Sequence, residues 1–174
     1  MPEVAPAVGV DDRCDDARPV ELFLFDEVGD ALRGMIPDTL GPFRYRAHRY
    51  GIKVWFGTDT PRREHYEAQV LSADAVAGAK TLALEVGFHA EHPKLADNEA
   101  LLADLVRREP KWRRAIGNDA VAGPFLGRGD VWRRVSETWP DPDLEDAELP
   151  VEVAARLVDY MRALEPLLRA RSAG

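Results

Sequence analysis

The sequence predicts an α+β protein, an antiparallel sheet of four or five strands with helices packed on one face and the other face polar. Three observations lead there. Residues 81–92, TLALEVGFHAEH, alternate so regularly that Leu82, Leu84, Val86, Phe88 and Ala90 fall on one side and Glu85, His89 and Glu91 on the other. That period of two is the signature of a strand with one face on a core. Shorter alternating runs precede it within residues 43–71, and amphipathic stripes with spacings of four, three and four stand near both ends of the chain. Helices therefore bracket the strands instead of alternating with them, which favours an antiparallel sheet covered on one face.

Residues 1–17 hold Pro, Gly and Asp and almost no large apolar side chains. Such a segment buries too little to offset the entropy of ordering, so a flexible tail is expected ahead of a single domain over 18–174. Pro19 suits the first position of a helix, with Leu24, Val28, Ala31 and Met35 as its stripe and Pro37 as its stop. Phe43, Tyr45 and Ala47 alternate with Arg44, Arg46 and His48, and Ile52, Val54 and Phe56 alternate with Lys53 and Trp55. A hairpin turning at 49–51 follows from this pattern, and a loop from the breakers over 57–61. Residues 65–71 read as a third strand with Tyr66, Ala68 and Val70 inward and His65, Glu67 and Gln69 outward; 81–92 is the fourth.

Pro93 closes the fourth strand. Asp97 is the expected N-cap of a helix that carries Leu101, Leu102, Leu105 and Val106 and stops at Pro110. A further turn leads to Gly117 as a C-terminal cap, and Gly123, Pro124, Gly127 and Gly129 mark irregular backbone. Residues 131–139 read either as an extra strand or as the start of a helix. An acidic linker over 140–149 precedes Pro150, which opens a last helix striped by Leu157, Met161, Leu164 and Leu168.

A net charge of −8 argues against general adhesion to nucleic acid or to anionic membranes. No apolar run approaches the ~20 residues of a membrane helix, and the start of the chain does not resemble a signal peptide. The single cysteine, Cys14, has no partner for an intrachain disulfide, so a reducing, cytoplasmic setting is expected.

The chemistry lies on the outward positions. If the strands pair as a meander, the candidate binding residues Glu85, His89, Glu91, His65, Glu67, Trp55, Arg44 and Arg46 share one surface with His48, Lys53 and Gln69. Cross-strand neighbours on such a surface come within about 5 Å. Alternation places Trp55 there as an exposed platform for a ligand ring. The plain alternative is a solvated face held by cross-strand ion pairs, each contributing about 0.2–1 kcal/mol. A metal would enlist His65, Glu67, Glu85, His89 or His92. No recognised ligand spacing is present, and His89-Ala90-Glu91-His92 is not the helical H-E-x-x-H pattern, so neither a metal nor a cofactor is expected. A nuclease would need a Lys near Glu67 and Glu85, but Gly87 stands where the usual strand signature has it. Lys53 could stand in only if the pairing order brings it there. No Gly-x-Ser-x-Gly elbow and no phosphate loop occurs.

The run His65-Tyr66-Glu67, then Leu84-Glu85-Val86-Gly87-Phe88-His89-Ala90-Glu91, then Asn98 and a Leu-rich helix ending in Gly resembles an uncharacterised bacterial α+β domain. That domain often occurs at the C-terminal end of restriction-nuclease-like proteins. The similarity covers about residues 43–117; it implies the fold and brings no catalytic residues with it.

The expected function is therefore a non-catalytic binding or protein-interaction module using the polar sheet face centred on Glu85. Its partner would be a protein or a small molecule, and a homodimer is admitted. The runner-up is a metal-dependent phosphodiesterase or nuclease-like enzyme using Glu67, Glu85 and His89. A nucleic-acid-associated protein using the basic hairpin is a third, less favoured reading.

Overall fold

The computed structural model describes residues 20–57, 63–127 and 130–174. The tail expected over 1–17, Cys14, and most of the 57–61 loop lie outside the described residues. Helix α1 (Val20–Met35) leads into the hairpin β1 (Phe43–His48) and β2 (Gly51–Phe56), then β3 (Glu64–Ser72) and β4 (Leu82–Ala90). Helices α2 (Leu95–Arg107) and α3 (Glu109–Ile116) follow, then β5 (Val121–Pro124), β6 (Arg133–Pro140) and the long α4 (Leu149–Ser172). All pairings are antiparallel, in the order β1-β2-β3-β4-β6-β5.

The sheet has six strands, where four or five were expected. Residues 133–140 settle as a strand, and β5 is the addition. Gly123 and Pro124 disguise it, yet both are tolerated because β5 is an outermost strand, where a missing N–H breaks no ladder.

Alternation sends Ile52, Val54, Tyr66, Ala68, Leu84 and Val86 to the inner face, where they share one core with residues of all four helices. A large apolar side chain contributes about 1.5–3 kcal/mol when fully buried, so this face dominates stability. The α1 stripe sits slightly off its expected line. Phe25 and Leu32 are fully buried, whereas Ala31 and Met35 only pack against the core, because the bulkier side chains face the sheet. Helix α2 starts at Leu95, so Asp97 lies in its first turn and faces the positive helix end instead of capping it. Pro110 opens α3, where its missing N–H costs nothing. On the inner side of β6, Glu137 accepts hydrogen bonds from Trp139 Nε1 (2.8 Å) and Tyr160 (3.0 Å) and pairs with Arg156 at 2.6 Å, tying α4 to the sheet.

Strand β4 is buried on both faces. Ala83, Glu85 and His89 are as inaccessible as Leu84, Val86 and Phe88, because the β5–β6 connection brings Phe125 and Trp132 over the outer face. Beneath them β4 and β6 run unusually close: a Cβ on Gly87 would collide with the Val135 carbonyl oxygen and with Ser136. Glycine is needed there for space. Among the described residues no helix is long and apolar enough to cross a membrane.

Candidate functional site

The register puts His65 opposite His89, Lys53 opposite Glu67 and Gln69 opposite Glu85. Glu91 follows directly on β4, its N–H donating to the Arg63 carbonyl at 2.6 Å. The centre of this outer face is polar but not solvated. His65, Glu67, Glu85 and His89 are each at most 2% exposed, so the expected water-covered face with weak ion pairs does not describe it.

Glu67 is the hub. Its Oε2 lies 3.0 Å from His65 Nε2 and 2.9 Å from His89 Nδ1, with Lys53 Nζ at 3.5 Å; its Oε1 is 3.8 Å from His48 Nε2. Glu91 accepts from Lys53 Nζ at 3.1 and 3.2 Å and approaches His65 Nε2 at 3.4 Å and His89 Nδ1 at 3.9 Å. On the other side of His89, Nε2 meets Glu85 Oε1 at 3.1 Å. Glu85 is itself held by donation from Ser136 Oγ at 2.6 Å and Gln69 Nε2 at 2.7 Å. Arg134 donates to Ser136 Oγ at 2.7 Å and stands 3.9 Å from Glu85.

These contacts set the charges. Burial would raise the pKa of Glu67, but the hydrogen bonds to His65 and His89, with the His48 ring close by, outweigh it and hold the carboxyl well below its usual range. Burial likewise opposes ionisation of Glu85, which His89, Ser136 and Gln69 restore. Glu91 is lowered against its burial by His65 and Lys53. Burial pulls His89 down, yet the Glu85 charge and the bonds to Glu67 and Glu85 push it up to about 9. His89 is thus an imidazolium at neutral pH, donating Nδ1–H to Glu67 and Nε2–H to Glu85.

Phe125 covers this centre, its ring 4.6 Å from that of His89 between centroids, and Trp132 packs edge-on against Phe125 at 5.3 Å. Buried Asn98 anchors the covering segment. Its Oδ1 accepts the His92 N–H at 2.9 Å, while Nδ2 donates to the carbonyls of His92 (3.0 Å) and Val131 (2.8 Å). Next to the covered centre a cleft of about 460 Å3 opens between His48, Lys53, Gln69, Leu71, Leu126 and Trp132. Glu67 and Glu91 reach its floor.

Of the residues singled out from sequence, Glu85, His89, Glu91, His65 and Glu67 come together. Arg44 and Arg46 do not: they are exposed on edge strand β1. Trp55 shares the face by alternation but is only 6% exposed, so it is no open platform. It borders hollows lined by Phe43 and Arg44 and by Pro42 and Phe56, away from Glu67. His92 pairs instead with Glu64 at 2.7 Å. Sequence reasoning missed Arg134 and Ser136, which stand on the strand it left undecided, and Phe125 with Trp132, which carry no periodic signal. Four side chains, His65, Glu67, His89 and Glu91, each offer one possible ligand atom, and these atoms all lie within 4.8 Å of one another.

Comparison of the chain with family models, with curated proteins and with solved structures finds no match.

Proposed function

We propose that the protein is a binding module whose ligand is a small molecule held in the cleft on the polar sheet face, above the cluster centred on Glu67. One observation carries this reading: a cleft of about 460 Å3 opens directly onto buried, charge-shifted side chains. Small-molecule sites are of this size and combine apolar walls with a few fixed polar groups, and strongly perturbed ionisable residues gather at such sites. Leu71, Leu126 and Trp132 supply the walls here, and Lys53, Gln69 and Glu91 the polar groups. The roof of Phe125 and Trp132 favours a small molecule over a protein surface, because it keeps a flat partner away from Glu85 and His89. The test is amide NMR with benzoate, phenyl phosphate and benzylamine as probes of one ring bearing different heads. At least one probe should shift Gln69, Leu71, Leu126 and the Trp132 indole together. Shifts confined to Arg44 and Arg46, or none at millimolar concentrations, would remove the cleft as the site.

A second reading, a metal-dependent phosphodiesterase or nuclease-like enzyme, is supported by one contact. The pairing order brings Lys53 to 3.5 Å from Glu67, supplying the cation that Gly87 denies the strand. Manganese-dependent hydrolysis of bis(4-nitrophenyl) phosphate that disappears in Lys53→Ala is the expected result; no turnover by the wild type would end this reading.

A further inference from the structure

We propose that the floor of the cleft is a mononuclear site for a divalent transition-metal ion of the zinc type, held by His65 Nε2, His89 Nδ1 and one carboxylate oxygen each from Glu67 and Glu91. The proposal rests on reading this face as a binding site and assigns the chemistry at its floor. The donors come from two His-x-Glu pairs, His65-Tyr66-Glu67 and His89-Ala90-Glu91, on adjacent antiparallel strands with the two histidines directly opposite. In a strand, residues two apart share a face, so both pairs point the same way and their four donors converge.

The distances decide between convergence and mere crowding. Nitrogen and oxygen ligands at about 2.0–2.2 Å around a tetrahedral zinc ion stand about 3.3–3.6 Å from one another. The four nitrogen-to-oxygen separations here are 2.9, 3.0, 3.4 and 3.9 Å. Side-chain shifts of about half an ångström bring these four into that range, and one ligand atom from each of the four residues already lies within 4.8 Å of the other three. A mixed imidazole and carboxylate set also matches the preference of zinc and its neighbours.

The surroundings are built as metal sites usually are. A ligating histidine normally gives its other ring N–H to a carboxylate, which fixes the ring and leaves the inward nitrogen for the ion. Glu85 does this for His89 at 3.1 Å and is itself anchored by Ser136 and Gln69. Two positive charges compete with the ion: the proton on His89 Nδ1, which passes to solvent when the metal binds, and the Lys53 ammonium, which bridges Glu67 and Glu91 on a part-exposed side chain that can turn into the cleft. An ion-pair network closed by Lys53 is the plain alternative, and the two differ in what removing Lys53 does. The network takes up no ion with or without it, whereas a metal site binds more tightly once the competing charge has gone.

The test uses the untagged full chain, stripped with a chelator and titrated with Co2+, whose visible absorption reports low-coordinate geometry. One equivalent should bind with an intense visible band that Zn2+ abolishes, and Zn2+ should raise the melting temperature as its concentration rises. His65→Ala and His89→Ala should each remove the band, and Glu85→Gln should weaken binding about 10–100-fold. His92→Ala should change nothing, because that ring pairs with Glu64. If the buried-histidine variants fold poorly, Lys53→Ala still decides, since tighter uptake is required of it. No uptake by folded wild type, uptake that survives loss of both buried histidines, or unchanged uptake in Lys53→Ala would overturn the proposal. Probe shifts in the cleft without cobalt uptake would sink the metal and keep the organic-ligand reading; cobalt uptake without probe shifts would do the reverse.

Discussion

His89 Nε2 lies 3.1 Å from Glu85 Oε1, four residues back along the same buried strand, and neither side chain has access to water. Residues at this spacing share one face of β4, so the pair is written into a single strand while its consequences reach three neighbours. In the metal-free protein the imidazole carries both protons because Glu85 and Glu67 stand on either side of it. Removing Glu85 removes the largest favourable influence on that charge.

The first prediction follows from this pair. In chelator-treated protein, NMR titration of His89 should give a pKa of about 9 in wild type, falling toward the ordinary 6.5 in Glu85→Ala. The raised value also sets a sign. The extra proton stabilises the fold fully below about pH 6.5, and that contribution is lost as pH rises through about 9. Superimposable titrations in the two proteins would mean that the side chains are uncoupled.

The two faces of β4 differ in chemistry but not in burial, and urea denaturation should reflect that. Leu84→Ala should cost about 2–5 kcal/mol, as cavity-forming changes in a core do. A solvated Glu85 would tolerate alanine within about 0.5 kcal/mol. Buried as it is, its loss strands His89, Ser136 and Gln69, and Glu85→Ala should cost about 1–3 kcal/mol. A cost near zero would put Glu85 back in water.

Gly87→Ala tests the close approach of β4 and β6. Since the added methyl meets backbone on the facing strand, the strands must part, at a cost of about 1–3 kcal/mol for overpacking. The Ser136 bond to Glu85 crosses the same gap, so the variant should also lower the His89 pKa. Unchanged stability in Gly87→Ala would show that the gap is wider than the geometry implies.

Asp141 offers a pH effect remote from the cluster. Its carboxylate accepts the N–H groups of Lys80 (2.9 Å) and Thr81 (2.7 Å) and the Thr81 hydroxyl (2.9 Å), which hold its pKa below the ordinary 3.8. A lowered carboxyl contributes stability above its unfolded pKa and loses it as pH falls through the folded value. Asp141→Asn should therefore lower the melting temperature at pH 7, and the gap to wild type should close under strong acid. A gap of constant size across pH would assign the effect to shape and not to charge.

How much of this was legible in the sequence depends on the kind of contact. Period-two alternation in β3 and β4 was enough to gather His65, Glu67, Glu85, His89 and Glu91 on one side, since the side a strand residue faces is a local property. What covers that side is not local. Phe125 reaches His89 from a glycine-rich segment without periodicity, so neither the roof nor the burial of Glu85 had a pattern to announce it. The same limit explains Trp55, whose side was given by alternation and whose cover was not. Ser136 and Arg134 stayed hidden for another reason: residues 131–139 suit a strand or a helix start until β4 is there to pair with. Lys53 was conditional on strand order, which no single strand encodes.

The outermost strands have a consequence for the solution behaviour of the molecule. An open sheet ends in rows of unpaired amides that invite addition of a foreign strand. On one border β1 carries the guanidinium groups of Arg44 and Arg46 into solvent, which penalises alignment with a second copy. On the opposite border β5 offers four residues and closes with Pro124, which has no amide hydrogen to give. Both borders are therefore poor templates for fibrous growth, and concentrated solutions of the folded protein should stay clear of cross-β aggregates.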